Sequence, residues 1–129
     1  MKTEQFETLI TDALQTIPER IRVRMENVAF VVEEEARAPG RGEEEVWDPN
    51  ASVLLGLYQG VPLMERGPQY QYALPDKITI FQKTIERIAG GDAEHTAEIV
   101  HQTVLHEVAH HLGFSESEVR RWERRQKRR

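Results

Sequence analysis

The chain of 129 residues contains no cysteine. That excludes a disulfide framework, a thiolate metal site and a cysteine nucleophile, so any bound metal must be held by nitrogen and oxygen donors. No apolar run approaches the roughly 18 to 20 residues that span a bilayer, and the opening MKTEQFETLI lacks an apolar stretch of signal-peptide length. The expectation is a soluble, cytoplasmic protein with no membrane partner. Aromatic residues are sparse at 7%, and histidine is confined: the five in the chain, His95, His101, His106, His110 and His111, all lie between positions 95 and 111.

The length suits one domain, residues 1–129, able to bury a core without metal or disulfide staples. Its net charge of −5 conceals an asymmetry, because seven of the 17 Lys and Arg fall in the last ten residues, RRWERRQKRR, beside one acid. A basic tail can bind nucleic acid. No aromatic-interleaved basic face accompanies it, so the favoured reading is a solvated helix end whose arginines complement the helix C-terminus and the acidic runs Glu33 to Glu35 and Glu43 to Glu45.

Along the chain, Phe6, Leu9, Ile10, Ala13, Leu14 and Ile17 recur at helical spacing, which predicts an amphipathic helix that Pro18 ends or redirects. NVAFVV at 27–32 is β-branched and aromatic and reads as a buried strand closed by glutamates. ARAPGRGEEEVWDPNAS, with two Pro, two Gly and a charge run, reads as a long surface loop. In VLLGLYQGVPLMERG, Gly56 and the break at Gly60 to Pro62 argue for a strand that bends or sits at a sheet edge. DKITIFQ at 76–82 alternates as a third strand, Thr84 is placed to cap a short helix stopped by Gly90 and Gly91, and Asp92 starts the histidine-bearing helix.

On that helix, His106 and His110 are four residues apart, so both rings project from one face with Cβ atoms about 5 to 6 Å apart. Two imidazole nitrogens can then converge on one ion at about 2.0 to 2.1 Å, the distance zinc requires. Glu107 sits beside them, able to address a water without itself being a ligand. The bland alternative is an amphipathic helix with Val104, Leu105, Val108, Ala109 and Leu112 inside and histidines decorating the rest. HExxH arises by chance in about one chain in forty of this composition, and the added requirement for Gly113 and Glu116 lowers that about a hundredfold. A left-handed Gly113 would turn the chain sharply enough for Glu116 to return as third ligand. Glu118 is the rival, but Ser115 and Glu118 also fit the S-x-x-E capping box, which gives Glu118 a structural task. His111 points about 100° away from His110 and is expected behind the ligands or at the surface, while His95 and His101 read as ordinary polar positions.

Through NVAFVVEEE, LLGLYQGVPLMER, LPDKITIFQ and TVLHEVAHHLGFSESEV, the chain resembles the zincin-like metallopeptidase family of short bacterial proteins, the mini-zincins, over nearly its full length. The resemblance implies an α+β (α/β) fold: a minimal zincin-like domain with a small mixed sheet of about three strands packed against an active-site helix, between N-terminal and C-terminal helices. It implies one Zn²⁺ held by His106, His110 and Glu116, with Glu107 as general base, and departs from the family pattern in having Glu where Asp is usual. All three methionines, Met1, Met25 and Met64, precede the helix, so no methionine turn can lie beneath the metal, and Trp122 is a candidate substitute. A peptide or protein substrate would lie extended along an edge strand, for which Val53 to Tyr58 is the candidate. Tyr58, Tyr70 and Tyr72 are the phenols available to an oxyanion, none assigned by motif.

Peptide hydrolysis is thus the leading expectation. The alternatives are a zinc-binding or partner-binding module with little peptidase activity and, below it, a nucleic-acid-associated protein acting through the tail; a homodimer is left open.

Overall fold

The computed structural model describes residues 1–25, 27–35, 44–48, 53–60 and 76–127. Helix α1, Thr3–Gln15, buries Phe6, Ile10 and Ala13, with Ile17 just beyond its end and Leu9 and Leu14 partly covered at the margins. Full burial of Phe6, Ile10 or Ile17 contributes about 1.5 to 3 kcal/mol each. As the periodicity requires, the helix stops before Pro18, which becomes the N-cap of the short α2, Glu19–Arg22; proline has no N–H to lose there.

Four strands form one mixed sheet in the order β1, β4, β3, β2. They are β1, Val28–Glu33; β2, Glu44–Asp48; β3, Val53–Gln59; and β4, Asp76–Phe81. The three patterned segments are present as β1, β3 and β4, while β2 comes from the segment expected to be wholly loop. Its acidic run and flanking Gly and Pro masked a strand that pairs antiparallel with β3, from Glu44 opposite Tyr58 to Asp48 opposite Val53. The register shifts between Val46, opposite Gly56, and Trp47, opposite Leu54, so β3 carries one extra residue, Leu55, at a bulge.

Two further expectations change with this order. β3 pairs with β2 over Val53 to Tyr58 and with β4 over Gly56 to Gln59, so it lies inside the strand order and Val53 to Tyr58 is not the outer edge of the sheet. β1 pairs with β4, in parallel, and lies at the other end of the order, so NVAFVV is half-buried rather than buried. The strand enclosed on both faces is β4, where Ile78, Thr79, Ile80 and Phe81 are all buried. β4 then runs directly into α3, Gln82–Ile88, with no intervening turn, which leaves Thr84 buried inside the helix and not at its cap. Gly90 and Gly91 end α3 with φ of 65° and 80°.

Helix α4, Ala93–Leu112, lies across β2, β3 and β4 and packs against α1, α3 and the C-terminal α5, Glu116–Lys127. Asp92 caps its start by accepting from the Glu94 amide at 3.2 Å. Close approach of α4 to the sheet depends on Gly56: a Cβ there would lie 2.9 Å from Thr103 Cγ2, 3.3 Å from the Thr79 carbonyl oxygen and 3.4 Å from Glu107 Cγ. The glycine that suggested a bend marks instead where a helix presses on a strand. Along α5, Arg120, Arg121, Arg124 and Arg125 are exposed, while Trp122 is buried edge-on against Phe114 at 5.9 Å. At the acidic end of β1, Glu34 and Glu35 meet Lys83 and Arg87 of α3. No helix among the described residues is long and apolar enough to cross a membrane.

Candidate metal centre

The C-terminal half of α4 is buried almost all round, which places Glu107, His110 and His111 in the interior beside Val104, Leu105, Val108 and Ala109. Burial of three polar side chains in one helical turn is costly, and such groups are kept where they are hydrogen-bonded, charged in pairs or bound to a metal. Termination follows the glycine signal: Gly113 has φ 88° and ψ 20°, its amide donates to the His110 carbonyl at 2.9 Å, and the Phe114 amide donates to the Ala109 carbonyl at 3.0 Å. This is the left-handed stop of a Schellman motif.

His106 and His110 lie one turn apart with their rings edge to face, centroids 4.7 Å apart at an interplanar angle of 63°. His106 is half-buried and His110 is 5% exposed. Glu107 is wholly buried, and its side chain lies over β3 at Gly56. Two imidazoles on one face with a carboxylate enclosed beside them make a donor set that suits zinc, which takes nitrogen and oxygen ligands when no thiolate is available.

The other residues that the sequence singled out separate clearly once the fold is known. Glu116 is the first residue of α5, immediately past the turn at Gly113; its side chain lies outside the described residues. Among the described residues no group of three or more His, Asp or Glu could hold a metal, and the Glu116 carboxylate is not among those. Glu118 forms the capping box: its carboxylate accepts from the Ser115 amide at 3.2 Å, and its own amide donates to Ser115 Oγ at 3.2 Å. The Ser115 amide, then the Ser115 hydroxyl and Arg121, hold the Glu118 carboxyl below the usual glutamate range. His95 is exposed in the first turn of α4. His101 ties α4 to the end of α1: Thr16 Oγ donates to the Ala13 carbonyl at 2.7 Å, so at the 3.0 Å contact with His101 Nε2 the hydroxyl accepts and the ring nitrogen donates. Tyr70 and Tyr72 lie outside the described residues.

His111 is not at the surface. It is 0% exposed, and its Nδ1 lies 2.8 Å from Asp76 Oδ2, to which it donates. The same oxygen accepts from the Tyr58 hydroxyl at 2.7 Å, and the Tyr58 and His111 rings meet edge-on at 5.7 Å. Sequence reasoning missed Asp76 and gave Tyr58 no role. The available signal was an acidic residue, Asp76, opening the strand DKITIF, but nothing local pairs it with a histidine 35 positions away.

A mixed sheet crossed by a helix that carries His, Glu and His in the HExxH order is the arrangement of a zincin-type domain. The family model for zincin-like metallopeptidases matches residues 25–125, and the chain belongs to that family. It is a peptidase-type family in which zinc is the general metal. No curated protein matches the chain.

Proposed function

We propose that this protein is a zinc-dependent metallopeptidase in which His106, His110 and Glu116 hold the ion and Glu107 is the general base. The observation that carries this reading is the pairing of two imidazoles one helical turn apart, 4.7 Å between ring centroids, with the Glu107 carboxylate fully buried beside them. The assignment of Glu116 over Glu118 is supported by the capping box, which already engages both the carboxylate and the amide of Glu118. When bound, zinc supplies Lewis acidity that polarises a carbonyl and brings the pKa of water toward about 7.

The protein's own side chains do the rest. Glu107, one residue past His106 on the same helix, takes the proton from the attacking water at a carboxylate oxygen. That proton is then delivered to the nitrogen of the departing amine, which completes the hydrolysis with Glu107 returned to its starting state. The substrate is a peptide or protein segment, and with β3 inside the strand order the outer edge offered to an extended chain on that side of the sheet is β2.

The test combines zinc analysis of the purified protein with digestion of a broad peptide library. Glu107→Gln is expected to lower turnover by several orders of magnitude while retaining zinc. Hydrolysis retained by that variant would overturn the base assignment. Zinc bound at one equivalent with no cleavage anywhere in the library would favour a zinc-binding module over a peptidase.

A further inference from the structure

We propose that Tyr58, Asp76 and His111 form a buried brace that sets the rotation of α4 about its axis and so positions His106 and His110; this rests on their reading as metal ligands. Successive helical residues are 100° apart, so a side chain anchored at 111 fixes the direction in which 110 and 106 project. The anchor is directional. His111 Nδ1 donates to Asp76 Oδ2 at 2.8 Å, and the Tyr58 hydroxyl donates to the same oxygen at 2.7 Å. Apolar contact alone would resist separation of helix and sheet but would tolerate a small rotation, because it has little directionality.

The sheet end of the brace is itself held on several sides. Asp76 is the first residue of β4, and its amide donates to the Asn27 carbonyl at 2.9 Å. Tyr58, on β3, stands opposite Ile78 of β4 in the antiparallel register. Gly60 closes over the carboxylate so tightly that a Cβ there would lie 2.5 Å from Asp76 Oδ1. All three brace side chains are at most 2% exposed. Because burying a carboxylate carries a desolvation penalty even when paired, a purely space-filling role would be met more simply by apolar side chains of the same volume. The directional constraint is what the polar set adds. None of the three is thereby a catalytic residue; each is a positioning residue that acts through the helix backbone.

The experiment measures zinc affinity by chelator competition and, in metal-free protein, the ring ¹H–¹⁵N resonances of His106 and His110. His111→Leu is expected to weaken zinc binding about 10- to 100-fold, the range seen when outer-shell partners of a metal site are removed, and to shift both ring spectra. His111→Asn, whose amide can donate where Nδ1 did, is expected to recover affinity to within about threefold of the original and restore the ring shifts. Tyr58→Phe removes one donor with little change of volume and is expected to give a smaller loss in the same direction, which covers the case in which His111→Leu does not fold. A lower melting temperature in these variants with unchanged zinc affinity and unchanged His106 and His110 resonances would reduce the cluster to a structural role and overturn the proposal. A wild-type protein that binds no zinc, or a His106→Ala variant that binds as well as wild type, would sink the metal reading instead. In that case the ring spectra of the metal-free variants still decide the brace.

Discussion

Replacing Gly56 by alanine tests the closeness of α4 to the sheet, on which the placement of Glu107 depends. The added methyl would stand 2.9 Å from Thr103 Cγ2, inside the 3.5 to 4.0 Å at which carbon atoms attract. Thr103 cannot easily turn away: it is β-branched, buried, and its hydroxyl donates to the Ile99 carbonyl at 2.7 Å. The second contact, 3.3 Å to the Thr79 carbonyl oxygen, is with backbone of the central strand. Overpacking of this kind costs about 1 to 3 kcal/mol. Loss of glycine's freedom in the unfolded chain offsets about 0.4 to 1 kcal/mol of that. A net destabilisation of about 1 to 2 kcal/mol is expected, which in a domain of this length lowers the melting temperature by about 4 to 7 °C. Thr103→Ser removes the obstructing methyl and alone should cost about 1 kcal/mol for the buried group lost. In the double variant the alanine methyl takes the space that Cγ2 vacates, so the two changes should couple favourably by about 1 to 2 kcal/mol. Urea unfolding of the four metal-free proteins measures the cycle. A Gly56→Ala variant as stable as the original, or a double variant whose losses simply add, would show that this contact does not limit the approach of α4.

Gly113→Ala places a side chain at φ 88°, where an L-residue pays about 1 to 2 kcal/mol. Chemical denaturation should show most of that loss, with Gly113→Asn less affected because asparagine tolerates the left-handed region; equal stability of the alanine variant would contradict the stop at α4. Ser115→Ala removes the acceptor for the Glu118 amide and should destabilise the start of α5 by about 1 kcal/mol, visible as earlier amide exchange in α5 than in α4. Glu118 adds a pH dependence of known sign. Its folded-state pKa is lowered, chiefly by the Ser115 amide, so its stabilisation is present above the ordinary glutamate value and is lost as pH falls through the lowered one. Glu118→Gln should therefore flatten the acid limb of a stability-against-pH curve, and parallel curves for the two proteins would argue against the capping carboxylate.

The features legible in the sequence were those made within a few residues. α1 stops before Pro18, Asp92 caps α4, Gly113 ends it left-handed, and Ser115 with Glu118 closes the next cap, each set by backbone chemistry over one turn. Placement of His106 and His110 on one face belongs to the same group, since i and i+4 meet on any α-helix. Local patterning misled where neighbours decided the outcome. NVAFVV has the composition of a buried strand yet lies half-covered at an edge, and Glu44–Asp48 has the composition of a loop yet pairs with β3.

Helix α4, its stops and its pair of imidazoles were thus settled along the chain, because they depend on helical geometry and on residues in contact with near neighbours. Three other features came only with tertiary packing: the place of β3 inside the strand order, the need for a glycine beneath Glu107, and the joining of His111 to Asp76 and Tyr58. Those contacts join segments tens of residues apart. Their partners are chosen by the order of strands and by the face of α4 that the core buries, which no local spacing encodes.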